Sequence, residues 1–133
     1  MISSISMELR GGARAPREAR AAVLAAVGDH LSAPVAHEVA LVVSELVTNS
    51  VQHAATGPAQ YVGIEVGVLD DRVLIAVSDR GSRFVPRLTR REPDAPEGLG
   101  LMLVDRLARS WAVARDGAGG TRVWCEIALH GRG

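Results

Sequence analysis

The chain has 133 residues, a hydrophobic content of 47% and a formal net charge of +0. That length and apolar fraction make one globular domain with a real core, expected to span 1–133 with its core from about 16 to 129 and only the first dozen and last few residues expendable. The balanced charge removes the simple electrostatic case for nucleic acid or an anionic membrane as partner, and all fifteen basic residues are arginine, which excludes a P-loop lysine, a protein-kinase ATP-site lysine and Schiff-base chemistry.

Ser4 to Leu9 alternates apolar and polar residues as an edge strand does, with Gly11-Gly12 ending it. Pro16 opens a helix at its first turn, and Ala19 to Leu31 carries Val23, Leu24, Val27 and Leu31 on one side. Ser32 reads as the N-cap of a second helix with Pro34 in its first turn, ending near Ala55-Thr56-Gly57-Pro58. Tyr61 to Leu69 and Arg72 to Ser78 are strands joined by Asp70-Asp71 as a hairpin. Ser82 to Glu97 has little periodicity and reads as a long loop. Gly98-Leu99-Gly100 precedes a helix over Leu101 to Ala108, and two more strands, Trp111 to Ala114 and Thr121 to Leu129, complete the chain. The order β-α-α-β-β-loop-α-β-β predicts an α+β two-layer sandwich, a mixed or antiparallel sheet with helices on one face.

The second helix holds the most informative pattern. Glu45, Asn49 and His53 recur every fourth residue on a segment that is otherwise almost wholly apolar, so the three stack along one face. A helix this apolar is expected to be buried on most sides, where an uncompensated carboxylate costs several kcal/mol; the stripe must therefore face a metal ion, a phosphate chain or trapped water. Gly98-Leu99-Gly100 before a helix can cradle an anion or simply make a tight turn. Asp79 at a strand end can hold a ligand or form the turn. Trp111 and Trp124 read as strand packing, and Cys125, next to Trp124, points to the opposite strand face and is expected to be inert. One cysteine allows no internal disulfide. No basic region followed by an apolar run opens the chain, and no segment approaches the ~20 apolar residues that span a bilayer, so a soluble, cytoplasmic protein is expected.

Taken in order, Glu45-x-x-x-Asn49 on a helix, Asp79-x-Gly81 after a strand, Gly98-x-Gly100 before a helix and Gly120-Thr121 opening a final strand resemble the nucleotide-binding boxes of the Bergerat-fold, histidine-kinase-like (GHKL) ATPase superfamily. Ser44 to His53 and the terminal Gly119-Gly120-Thr121-Arg122-Val123-Trp124 resemble the anti-sigma-factor serine/threonine kinases of bacteria, the actinobacterial single-domain branch above all. The resemblance implies a Bergerat fold with a mixed sheet, and ATP and Mg²⁺ as cofactors. It implies that Asn49 ligates Mg²⁺, that Glu45 is the general base on a substrate hydroxyl, and that Asp79 accepts a hydrogen bond from the adenine amine, with Gly81 letting the backbone pass close to the base. Gly98, Gly100 and Leu101 would hold the phosphates, Thr121 would reach the adenine pocket, and His53 would contact phosphate or stay in solvent. The loop from Arg80 to Glu97 would be the lid. Arg83 stands where the fuller pattern has a second glycine, narrowing the pocket or clamping phosphate.

The function implied is an ATP-binding regulator that phosphorylates a serine or threonine on a STAS-like antagonist protein and binds a sigma factor, with a homodimer through the sheet edge and early segments by analogy, and no direct contact with nucleic acid or membrane. The alternative is a non-catalytic regulator that binds ATP or nothing and works by holding a protein partner. The ATPase half of a sensor histidine kinase is a third reading, but the chain shows no upstream helical hairpin with a phosphoacceptor histidine. A gyrase- or chaperone-type ATPase is a fourth, but no transducer domain follows.

Overall fold

The computed structural model describes residues 1–53, 60–79, 102–115 and 120–129. Its elements follow in the order β1 (Ser3–Arg10), α1 (Ala15–Val27), a 3-10 turn (Gly28–His30), α2 (Ala33–His53), β2 (Tyr61–Val68), β3 (Arg72–Ser78), α3 (Met102–Leu107), β4 (Ser110–Arg115) and β5 (Thr121–Ala128). The strands form one five-stranded sheet in the order β1-β2-β3-β5-β4. All four pairings are antiparallel, so of the mixed and antiparallel alternatives the sheet takes the second. The α+β arrangement with helices on one face is as the sequence predicts.

Local signals explain the elements. Pro16 lies in the first turn of α1, where its missing N–H removes no helical bond. The turn before α1 needs Gly12, whose φ is 107°, a conformation other residues adopt only under strain. α1 stops at Val27 rather than at Leu31, because Gly28 and Asp29 favour neither propagation nor packing and the chain tightens into a 3-10 turn, closed by Leu31 N–H donating to the Gly28 carbonyl at 3.0 Å. Ser32 caps α2: its Oγ accepts from the Val35 N–H at 3.4 Å, and its carbonyl takes the first helical bond from Ala36 N–H at 2.8 Å. Asp70-Asp71 forms the expected two-residue hairpin, with Leu69 N–H donating to the Arg72 carbonyl at 2.8 Å and Val68 opposite Val73.

Alternation assigns the two sheet faces. Ile5, Met7 and Leu9 on β1, Val62, Ile64, Val66 on β2 and Val73, Ile75, Val77 on β3 face the helices, as do Trp111 and Val113 on β4 and Val123, Cys125, Ile127 on β5. Against them α1 buries Ala15, Ala19, Val23 and Val27, one residue per turn. α2 contributes Val35, Val39, Val42, Val43, Leu46 and Val47. α1 lies against β1, β2 and α2, while α2 covers the middle of the sheet and also meets α3. The leading segment is not expendable: β1 pairs with β2 through all eight of its residues and packs Ile5, Met7 and Leu9 on the core. β1 is the edge strand the sequence predicts.

Leu46 is among the largest fully buried side chains, on the helix that spans the sheet centre. Leu46→Ala is expected to lower stability by about 2–5 kcal/mol, read as a fall in the urea midpoint at unchanged m-value.

Candidate functional site

Successive members of a four-residue stripe do not lie straight above one another. Four residues at about 3.6 per turn overshoot a full turn by about 40°, so the stripe on α2 winds around the helix as it climbs. The burial follows this winding. Glu45 is half-buried on the shoulder of α2, between the exposed Leu41 and the core, and Asn49, one turn on, is rotated inward and buried with 8% of its surface exposed. The carboxylate is thus not sunk in the core, as the apolar helix alone suggested; the winding gives it a solvent route. His53 is the last residue of α2, and its side chain lies outside the described residues.

Asn49 is the anomaly of the interior. Its Nδ2 is buried and has no hydrogen-bond partner among the described residues. An unmet buried amide costs about 1–3 kcal/mol, and nearly all buried polar groups in proteins are satisfied. Leucine or valine at this position would pack with the rest of α2 at no such cost, which marks Asn49 as a candidate ligand contact.

The second cluster is built at a strand end. β3 and β5 are paired so that Ser78 faces Arg122, which brings the next residues, Asp79 and Thr121, together on the helix-covered side. Asp79 N–H donates to the Thr121 carbonyl at 3.1 Å, and Thr121 N–H donates to Asp79 Oδ1 at 2.9 Å. In a regular antiparallel pair the second bond would go to the carbonyl of residue 79. Here the side-chain carboxylate takes that place, so β3 ends and the carboxylate is fixed against β5. This is the turn-forming role that the sequence allowed for Asp79, and it also sets the orientation of the carboxylate. α2 packs against both β3 and β5, so one helix and one strand pair carry Glu45, Asn49, Asp79 and Thr121. Gly81, Arg83, Gly98, Gly100 and Leu101, and with them the expected lid, lie outside the described residues.

Two contacts were not legible beforehand. Trp111, read as packing, is buried and donates its Nε1–H to Asp105 Oδ1 at 2.8 Å, tying α3 to β4. The available signal was chemical: a buried indole N–H needs an acceptor, and Asp105 lies six residues earlier. Arg20 on α1 donates to Ser44 Oγ at 3.1 Å, bracing α2 beside Glu45.

Cys125 is no nucleophile. Burial, with the Glu126 carboxylate adding to it, pushes its thiol up to about 12, far above neutral pH. Among the described residues no group of three or more His, Cys, Asp or Glu side chains is placed to hold a metal ion. A hard cation here would need oxygen ligands from elsewhere besides the Asn49 amide, as Mg²⁺ takes them from phosphates and water. The unpartnered atom is the Asn49 Nδ2–H donor, which calls for an acceptor such as a phosphate oxygen, while Oδ1 is the atom that could ligate a cation.

A family model described as the histidine kinase-like ATPase domain matches residues 11–127. No curated protein matches the chain.

Two outcomes are expected of the free protein. Asn49→Leu should raise stability by about 1 kcal/mol or more, because an apolar side chain removes the orphaned donor, so its melting temperature should rise by a few degrees. Cys125 should resist thiol reagents at pH 8 in the native state and react fully in urea, its low reactivity being a property of burial.

Proposed function

The chain belongs to the histidine kinase-like ATPase domain family, and on that premise we propose that it is an ATP-dependent protein serine/threonine kinase that regulates transcription by partner switching. Membership in an ATPase domain family implies ATP as the ligand. Support for the finer reading comes from the buried, unpartnered Asn49 Nδ2–H donor, which a phosphate oxygen would satisfy, one helical turn from the half-buried Glu45 carboxylate.

The residues have distinct tasks. Asn49 offers its amide oxygen, a suitable donor for a hard cation, and would hold Mg²⁺ against the phosphates of ATP. When bound, Mg²⁺ neutralises phosphate charge and lets an oxygen nucleophile approach. Asp79, its Oδ1 held by the Thr121 N–H, accepts the hydrogen bond of the adenine exocyclic amine and so rejects guanine, which presents a carbonyl there. Glu45 accepts the proton of the attacking serine or threonine hydroxyl. The hydroxyl oxygen forms the new bond to the γ-phosphorus as the bond to the bridging oxygen breaks, and ADP leaves. Most of the rate enhancement in such transfers comes from positioning and charge stabilisation, which suits a site with one base and one amide.

The partners proposed are an antagonist protein that receives the phosphate and a sigma factor held when the antagonist is phosphorylated. Support for both comes from Ser44 to His53 and from Gly119 to Trp124, which resemble the anti-sigma-factor kinases. Phosphate added at a packed protein contact brings repulsion and desolvation, which would release the antagonist.

The test separates base from binding. Glu45→Gln should bind ATP within about twofold of the wild type but transfer phosphate at least ~100-fold more slowly. Asn49→Ala should lose the part of ATP affinity that depends on Mg²⁺. Both are read by calorimetry and by radiolabelled transfer to a co-purified antagonist protein. Undiminished transfer in Glu45→Gln overturns the base assignment, and intact binding with no transfer in the wild type favours the non-catalytic regulator, to which Arg83 in place of a glycine already points.

A further inference from the structure

We infer that Leu41 selects the acceptor: it takes up a bulky apolar side chain that lies two positions, along an extended segment, from the serine or threonine presented to Glu45. This role rests on the kinase reading and names the class of segment that such a kinase would accept. The stripe on α2 has an inner and an outer end. At the inner end Asn49 is buried, and its Nδ2–H has no acceptor among the described residues, so the phosphates belong there. In-line transfer places the attacking oxygen on the side of phosphorus away from the leaving ADP. The acceptor therefore comes to Glu45 from the outer end, over the shoulder of α2.

Leu41 stands on that shoulder. The helical neighbours of Glu45 are the residues three and four positions away, and of Leu41, Val42, Thr48 and Asn49 only Leu41 is exposed. An exposed leucine alone carries little meaning. Beyond its first turn, however, α2 exposes only His37, Leu41 and Gln52 among its described side chains, and it buries Leu46 and its valines from Val35 to Val47. The large apolar side chain that it leaves in water, 37% exposed, is thus the one beside the proposed base. Arg20 closes the α1 side by donating to Ser44 Oγ at 3.1 Å, so the leucine has a guanidinium on one flank and the Glu45 carboxylate on the other. Protein interfaces place their main contacts in this way, an apolar centre ringed by polar groups.

Spacing sets the register of the acceptor. Leu41 and Glu45 are four residues apart on α2, about 6 Å along its axis. In an extended chain alternate side chains share one face and lie about 6.5–7 Å apart. A hydroxyl at Glu45 therefore brings the side chain two positions away onto Leu41, while the residue between them points outward. Leucine, isoleucine, methionine or phenylalanine at that position would take the exposed leucine out of water, and a small or charged residue would not.

Short synthetic peptides with one central serine test this, carrying leucine two positions from it on either side, leucine next to it, or alanine throughout. With Mg²⁺ and ATP, kcat/KM for radiolabelled transfer should favour a peptide with leucine two positions away by about tenfold or more over the alanine peptide. Leu41→Ala should remove that preference, and Leu41→Met should restore it. Each ratio compares peptides on the same enzyme, so a fraction of misfolded variant cancels. Amide chemical shifts give a second readout that needs no transfer. With a non-hydrolysable ATP analogue and peptide up to about 2 mM, the favoured peptide should shift Leu41 and Glu45 in the wild type and leave Glu45 in place in Leu41→Ala. Such shifts without any transfer support the Leu41 contact and count against the kinase reading alone. No shift with any peptide overturns the inference. So do equal rates for the leucine and alanine peptides, a preference for leucine next to the serine, or a preference that survives Leu41→Ala.

Discussion

The packing of α2 on the middle of the sheet is the constraint on which the rest depends. Val39, Val42, Val43, Leu46 and Val47 are fully or almost fully buried, and a helix anchored by so many side chains has one rotational setting. That setting decides where the polar stripe goes. With Leu46 facing the core, Glu45 must sit on the shoulder and Asn49 must turn inward. The hydrophobic effect thus positions a carboxylate and an amide that take no part in it. Turning the helix to bury Glu45 or to free Asn49 would expose valines worth about 1.5–3 kcal/mol each.

The same reasoning explains why Asn49 is tolerated. A domain of this size folds with a margin of about 5–15 kcal/mol, and one orphaned amide takes a sizeable share of it. Proteins keep such groups where a ligand completes them, and local rules of composition fail most often at functional sites. Asp79 illustrates the opposite economy. Its carboxylate ends β3 by replacing a backbone carbonyl, so the residue proposed to meet adenine is also the one that closes the strand pair. The sequence left the turn role and the ligand role both open, and the Thr121 bond shows the first.

Periodicity made most of the fold legible. The alternation on β1, the Asp70-Asp71 hairpin and the Ser32 cap each state a local preference that the packed structure keeps. The choice between mixed and antiparallel pairing was not legible, because strand order is settled by which edges the helices leave available and not by any local pattern. Nor was the end of α1, where Gly28 and Asp29 end a helix whose apolar spacing continues to Leu31. Glu45 and Asn49 lie one turn apart on α2, as their spacing predicts, while the His53 side chain lies outside the described residues. The winding of the stripe, which separates a half-exposed Glu45 from a buried Asn49, follows from helix geometry but needs the direction of the core to be known. The bond from Trp111 to Asp105 joins a helix to the strand after it, and only the three-dimensional turn brings the two together.

The inner face of the sheet, under the helices, holds the candidate nucleotide site. The nucleotide choice of the inner face is the property to measure first. Calorimetric titration of the wild type and Asp79→Asn with ATP and with GTP, each with and without Mg²⁺, should show Mg²⁺-dependent binding of ATP to the wild type alone and at least ~100-fold weaker binding of GTP. Equal affinity for the two nucleotides, or ATP binding that survives Asp79→Asn unchanged, would contradict the account.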